Sequence, residues 1–188
     1  DQLRLPEVFE SLSTQNILSM SYLEGEAIDL FLAANPEQSA TLMGIMLDLF
    51  FTELIELQLM QTDPNPANFH VDSKTGQLIL LDFGAVRRFD SGFVSNYKAA
   101  IDAAVAQSRA DLQDALEMLG FFAKGADVAN RDVVLDIFML AAEPLRHQGI
   151  YDFSSSDLST RIQQRGMSVS RDPNAWHTPP ADVLFLHR

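Results

Sequence analysis

The spacing of apolar residues predicts a chain that is mostly helical, with a few short strands near the N-terminus and in the middle. A dense apolar stretch over about 37–60 predicts a central buried helix, because its apolar positions cover most of a helix circumference. Asn35 followed by Pro36 is typical of a helix start, with a capping side chain and a proline in the first turn. Pro64 and Pro66 end this helical pattern, since proline cannot continue a helix.

A β-hairpin is predicted directly after these prolines. "NFHV" and "QLILLDF" have the composition of strands, and "DSKTG" joins them, with Gly76 placed to take a positive φ. Two further strands are predicted earlier, around "EVFE" and "NILSMSY". The sequence thus predicts a small β portion with a hairpin in the middle of the chain.

Helices are predicted from about Gly92 to the end of the chain. "FVSNYKAAIDAAVAQ" forms one, and "ADLQDALEML" forms the next, opened by a capping box of Ser108 with Asp111 and closed by Gly120. Three more are predicted over "NRDVVLDIFMLAAEPL", with Asn130 as its cap, over "SSDLSTRIQQRG", and after the proline pair near the C-terminus. The predicted fold class is therefore α+β and mostly helical.

Composition narrows the range of functions. A chain of 188 residues is long enough for one domain with a sizeable core. The net charge of −13 argues against a nucleic-acid-binding role and against simple electrostatic docking on an anionic membrane. Cysteine is absent, which excludes disulfides and thiolate chemistry, and a cytosol-like compartment is compatible with this. The chain begins without methionine and stops in mid-pattern, so we expect it to be a piece of a longer protein.

Three polar residues around the predicted hairpin are the candidates for chemistry. Asp63 precedes the first strand, Asn68 lies at its start, and Asp82 lies at the end of the second strand. Because the hairpin folds the chain back, Asn68 can lie beside Asp82, and Asp63 can face the same cleft. Phosphoryl transfer from ATP needs a carboxylate to orient the acceptor and oxygen ligands to hold Mg²⁺. The alternative is a proline turn in which Asp and Asn side chains only cap backbone groups.

The motifs around these residues resemble a known family. "DPNPAN" followed by "LLDFG" resembles the catalytic loop and Asp-Phe-Gly motif of protein-kinase-like folds. More narrowly, "QTDPNPANF", "LLDFGAVRRFD" and "PPADVLFLHR" resemble the UbiB (AarF) family of atypical kinases, which is linked to ubiquinone biosynthesis. The resemblance implies a kinase-like C-terminal lobe (25–188) with a central β-hairpin, preceded by a short β remnant of the N-lobe and the hinge (1–24).

The resemblance also assigns roles to individual residues. It implies that Asp63 is the catalytic aspartate and that Asn68 and Asp82 are metal ligands, with ATP and Mg²⁺ as cofactors. "LSMSYLEG" resembles the hinge, which places Met20 at the back of the adenine pocket and the backbones of Ser21 and Leu23 against the base.

Departures from ordinary protein kinases change the expected substrate. Gln61-Thr62 stands where those kinases have His-Arg, and no Ala-Pro-Glu motif follows Asp-Phe-Gly. We therefore expect nucleotide as one partner and a small-molecule or lipid-like acceptor as the other, or ATP hydrolysis, rather than a protein substrate. Contact with a membrane surface or a biosynthetic complex is left to the full-length protein, and the compartment would be mitochondrial in a eukaryote.

The phosphate-gripping half of a kinase is not found in this sequence. The chain has no Gly-rich or Ala-rich phosphate loop, no Val-Ala-x-Lys strand and no Lys-x-Gly-Gln segment. We expect the 188 residues alone to bind nucleotide weakly and not to turn it over. Two alternatives stay open, a non-catalytic nucleotide-sensing scaffold and a small-molecule phosphotransferase.

Overall fold

The computed structural model describes residues 2–62, 65–122, 128–167 and 180–186, without the side chains at 128, 129, 184 and 185. The chain divides into two compact units, Asp1–Arg88 and Phe89–Arg188. The boundary that the resemblance implies after residue 24 stays a prediction. The α+β class is confirmed: the first unit holds the strands, and the described part of the second is helical.

Two small sheets make up the β portion of the first unit. β1 (Leu3–Arg4), β2 (Glu26–Ala27), β4 (Phe69–Val71) and β5 (Leu78–Leu80) form a sheet in the order β1-β5-β4-β2. β1 runs parallel to β5, and the other two pairs are antiparallel. β3 (Leu59–Gln61) and β6 (Val86–Arg88) form a separate antiparallel pair.

The predicted hairpin is confirmed. β4 and β5 pair in the register Phe69 to Leu80. The Asp72 carboxylate accepts the backbone N–H of Lys74 at 2.9 Å, and Gly76 takes a φ of +73°. An Asp that bonds its own turn and a glycine in the left-handed region both favour a tight reversal. The hairpin therefore forms from signals within its own sequence.

The central helix is confirmed in outline, with a different end. After a short helix, α1 (Ile28–Ala34), a 3₁₀ turn (Pro36–Gln38) leads into α2 (Ser39–Phe51), which continues as a π-helical turn over Thr52–Leu57. Gln58 then takes a left-handed φ of +52° and ends the helix. The first core forms where this helix and the one before it pack on the hairpin; its members are Ile28, Phe31, Leu42, Ile45, Phe69, Val71, Leu78 and Leu80.

Two predictions near the N-terminus need correction. The segment before Asn35 is a short helix, α1 (Ile28–Ala34), which the sequence did not predict. Asn35 does not cap the following helix: its side-chain amide donates at 2.9 Å to the Phe31 carbonyl of α1, which also accepts the backbone N–H of Asn35 at 2.9 Å. The predicted strands around "EVFE" and "NILSMSY" are reduced to two isolated antiparallel bridges, Val8 with Met20 and Thr14 with Ile17.

The second unit confirms most of the predicted helices. They are α3 (Ser91–Val105), α4 (Arg109–Met118), α5 (Val128–Ala141), α6 (Glu143–Arg146), α7 (Leu158–Met167) and α8 (Ala181–Leu186). Gly120 closes α4 with a φ of +77°. Asn130 is not a cap, because α5 already begins at Val128. Ser108 and Asp111 bond to each other at 2.5 Å, and the Ser108 side chain makes no bond to the helix backbone.

Candidate functional site

The hairpin brings Asn68 and Asp82 together. Asn68 directly precedes β4, and Asp82 follows β5 by two residues. The backbone N–H of Leu81 donates to the Asn68 carbonyl at 3.1 Å, which extends the pairing of the two strands beyond the hairpin. The Asn68 side-chain amide lies 3.5 Å from Oδ2 of Asp82. Two of the three candidate residues therefore meet through hairpin geometry.

Asn68 is held in place by a turn of its own. Asn65 caps a 3₁₀ turn over Pro66–Asn68: its Oδ1 accepts the N–H of Ala67 at 3.0 Å. The backbone N–H of Asn68 donates to the Asn65 carbonyl at 2.9 Å. Asn65 thus caps a backbone group, whereas the Asn68 side chain turns toward Asp82. The candidate catalytic residue, Asp63, lies outside the described residues, so its role stays a prediction.

The two oxygens of Asp82 have different surroundings. Oδ1 accepts the backbone N–H of Gly84 at 2.8 Å, which fixes the direction of the carboxylate. Oδ2 lies on the side of Asn68, and the residue is exposed. A Cβ at position 84 would lie 3.1 Å from Oδ1, so glycine suits this close approach. One carboxylate oxygen is therefore used by the loop, and the other faces Asn68 on an exposed residue.

The donor set fits Mg²⁺. This cation prefers oxygen ligands and is usually held by one or two carboxylates together with phosphates and water. Asp82 offers a carboxylate oxygen. The Asn68 amide nitrogen faces this oxygen, and rotation of the amide group by half a turn would present the Asn68 amide oxygen as a second ligand. No group of three or more His, Cys, Asp or Glu residues that could hold a metal occurs within the described ranges. The remaining ligands would have to come from phosphates and water.

Two buried polar side chains next to this site were not predicted to be part of it. Gln61 is 6% exposed and donates from Nε2 to the Asp82 carbonyl at 2.7 Å. Thr62 is 7% exposed and donates from its hydroxyl to the Ala85 carbonyl at 2.8 Å. Gln61-Thr62 differs from the His-Arg of ordinary protein kinases, and this difference was visible in the sequence. No local pattern indicates that the two side chains bind carbonyl groups more than 20 positions away.

Glu53 supports Gln61 from the π-helical turn. Its Oε2 accepts the backbone N–H of Gln61 at 3.2 Å, at the end of β3. Burial raises the pKa of the Glu53 carboxyl above its usual value, and the bond from Gln61 opposes that rise. The carboxyl therefore joins the end of the central helix to the strand that leads into the site.

The predicted hinge lies on the N-terminal segment of the first unit. The N–H of Ser21 donates to the Glu7 carbonyl at 2.8 Å, and its hydroxyl accepts the N–H of Glu7 at 2.9 Å. A base at this position would therefore use the carbonyl of Ser21 rather than its N–H. Met20 is 42% exposed and Leu23 is half-buried. Adenine binding by these three residues stays a prediction.

Comparisons with known proteins match the motifs described above. A model of the ABC1 atypical kinase-like domain matches residues 1–116. "Atypical kinase COQ8B, mitochondrial" of Rattus norvegicus is 31% identical over 185 residues, covering 98% of this chain and 35% of the rat protein. "Atypical kinase COQ8, mitochondrial" of Saccharomyces cerevisiae is 29% identical over 187 residues, covering 98% of this chain and 37% of the yeast protein.

A solved structure supports the fold. The one described as "The complex structure of Rv3197-erythromycin from Mycobacterium tuberculosis" has a TM-score of 0.68 and 22% identity, covering 99% of this chain and 46% of that one. The chain spans 35% and 37% of the rat and yeast relatives. Within the described ranges, no helix is both long and apolar enough to cross a bilayer. The domain match over residues 1–116 shows that the chain belongs to the ABC1, or UbiB, family of atypical kinase-like proteins.

Proposed function

We propose that the full-length protein binds Mg-ATP and either transfers its terminal phosphoryl group or hydrolyses it. The observation that carries this proposal is the approach of the Asn68 amide to Oδ2 of Asp82, at 3.5 Å, on motifs that match an atypical kinase-like family. An amide and a carboxylate at the ends of two paired strands form a small oxygen-ligand site that is accessible from solvent. Phosphates of a nucleotide would complete it.

Each residue of the site would have a separate task. Asp82 would hold the metal with Oδ2 while its other oxygen stays on the Gly84 N–H, and Asn68 would add its amide oxygen. Asp63 would orient or deprotonate the attacking hydroxyl or water. The bound Mg²⁺ would neutralise charge on the phosphate oxygens. The protein's contribution is therefore to position the groups and to place charge where the reaction needs it.

We propose a small-molecule or lipid-like acceptor in isoprenoid quinone biosynthesis, with ATP hydrolysis as the alternative outcome. The sequence supports an acceptor other than a protein. The sequence lacks the Ala-Pro-Glu motif found in kinases that act on proteins. The rat and yeast relatives are named mitochondrial atypical kinases, so we place a eukaryotic protein of this kind in mitochondria, in contact with a biosynthetic complex or membrane surface.

Substitution of Asp82 tests the metal role. In the full-length protein, Asp82→Asn keeps the side-chain shape but removes the charge that holds Mg²⁺, so ATP turnover should fall at least a hundredfold. Asp114→Asn, at an exposed position of α4, is the matched control and should leave turnover unchanged. Turnover by Asp82→Asn equal to the control would contradict the metal role. Nucleotide binding without turnover in the unsubstituted protein would favour a nucleotide-sensing scaffold.

The 188 residues alone should bind Mg-ATP weakly and should not turn it over. The reason is that a kinase site grips the phosphates with a lysine on a strand and a glycine-rich or equivalent loop, and this sequence contains neither. Isothermal titration calorimetry with Mg-ATP measures the affinity directly. Micromolar binding by these residues alone would contradict the expectation.

A further inference from the structure

The described residues contain two buried polar side chains, and the two are neighbours. Gln61 and Thr62 are 6% and 7% exposed, at the end of β3 and directly before Asp63. Burial of an amide or a hydroxyl is unfavourable unless its hydrogen bonds are made. The hydrogen-bond partners of these two side chains therefore indicate why polar residues are buried at the edge of the candidate site.

Both residues bind the loop that carries Asp82. Gln61 donates from Nε2 to the Asp82 carbonyl at 2.7 Å. Thr62 donates to the Ala85 carbonyl twice, from its backbone N–H at 2.9 Å and from its hydroxyl at 2.8 Å. Residues 82–85, called the metal loop below, are thus held at the first and last carbonyl. The pairing of Gln61 with Val86 in the β3–β6 ladder continues the same contact.

The metal loop has little else to hold it. Each of its four residues is exposed, and Phe83 is 44% exposed. Hydrophobic packing therefore does not fix the loop, and hydrogen bonds from buried donors do. A bond to the Asp82 carbonyl fixes the backbone at the residue whose carboxylate faces Asn68. The position of that carboxylate therefore depends on Gln61, while its direction is fixed by the Gly84 N–H.

We propose that Gln61 and Thr62 are positioning residues for metal binding, which act by fixing the metal loop so that Asp82 faces Asn68. The expected effect on metal affinity rests on the proposed function. The hydrogen bonds from Gln61 and Thr62 to the metal loop can be tested without nucleotide. Because outer partners that orient a metal ligand commonly change metal affinity 10- to 100-fold, loss of the Gln61 donor should weaken the metal site by about tenfold.

The experiment compares four variants of the full-length protein. Gln61→Met keeps the length of the side chain and removes the donor, and Gln61→His restores a ring N–H donor. Thr62→Val keeps the shape and removes the hydroxyl. Gln164→Met, at an exposed position of α7, is the matched control. The two readouts are the Mn²⁺ dissociation constant in the presence of ATP, by electron paramagnetic resonance, and hydrogen exchange of peptides that cover 82–88.

Gln61→Met should raise the Mn²⁺ dissociation constant about tenfold, with partial recovery in Gln61→His and no change in Gln164→Met. Exchange at 82–88 should accelerate in Gln61→Met and Thr62→Val with or without nucleotide. Unchanged Mn²⁺ affinity in a folded Gln61→Met variant would overturn the inference. If the unsubstituted protein binds no Mn-nucleotide, the proposed function fails and the exchange readout decides alone: unchanged exchange in both variants then overturns the inference. If Gln61→Met does not fold, Thr62→Val carries both readouts, and unchanged Mn²⁺ affinity together with unchanged exchange at 82–88 in that variant overturns the inference.

Discussion

Truncation of Leu80 should destabilise the first unit more than any change at the surface near the site. Leu80 is 1% exposed, pairs with Phe69 across the hairpin and belongs to the first core. Leu80→Ala removes three buried carbon atoms at about 0.8 kcal/mol each. The cavity left behind adds to this loss, so the free energy of unfolding should fall by about 3 kcal/mol.

Native-state hydrogen exchange of peptides covering 69–80 is the appropriate assay. It reports the free energy of opening this region and does not require the two units to unfold together. Leu59→Ala, in β3 and 37% exposed, is the control and should cost less than about 1 kcal/mol. If Leu80→Ala lowers the opening free energy no more than Leu59→Ala does, the hairpin is not part of the core that supports the site.

An ion-pair network and two glycines outside the hairpin also affect the stability of the protein. Asp136→Asn should cost about 1 kcal/mol, because the carboxylate binds both Arg109 and Arg165 in a partly exposed ion-pair network. Burial acts to raise the pKa of Asp136, but its bonds with the two arginines outweigh burial and hold the pKa below 3.8. Its contribution is therefore present above pH 3.8 and lost as the pH falls through the lowered pKa, so acid titration should weaken Asp136→Asn less than the unsubstituted protein. Gly44→Ala should raise the thermal midpoint, since a Cβ there meets nothing within 4 Å and alanine favours a helix by up to about 1 kcal/mol. Gly120→Ala should lower the midpoint by costing about 1–3 kcal/mol, because its φ is +77° and its Cβ would lie 2.8 Å from Pro180.

The hairpin could be predicted because its signals are local. An apolar run, an Asp in the turn and a glycine for the positive φ at position 76 all lie within the hairpin's own sequence. Once the hairpin is predicted, the approach of Asn68 to Asp82 follows from the pairing of its strands. That part of the site needed no knowledge of distant contacts.

The parts that could not be predicted depend on contacts between distant segments. Gln61 bonds a carbonyl 21 positions away, and Thr62 bonds one 23 positions away. β1 pairs with β5 in the register Leu3 to Leu78, across most of the first unit. The Asn35 prediction was wrong for a different reason: a residue between two helices can bind the end of one or the start of the next, and the Asn35 side chain binds the Phe31 carbonyl of α1. A propensity pattern does not indicate which of the possible hydrogen-bond partners a side chain takes in the folded protein.

A double-mutant cycle shows whether Asn68 and Asp82 form one metal-nucleotide site. The measurement is the ATP dissociation constant of the full-length protein with and without Mg²⁺ for Asn68→Ala, Asp82→Asn and the double variant. If the two residues share one metal, Mg²⁺ should strengthen ATP binding by the unsubstituted protein, and each single substitution should remove most of that gain. The double variant should then bind ATP with Mg²⁺ only slightly more weakly than the single variant that binds it more weakly. Additive effects of the two changes, or ATP binding that does not depend on Mg²⁺ in the unsubstituted protein, would contradict the account.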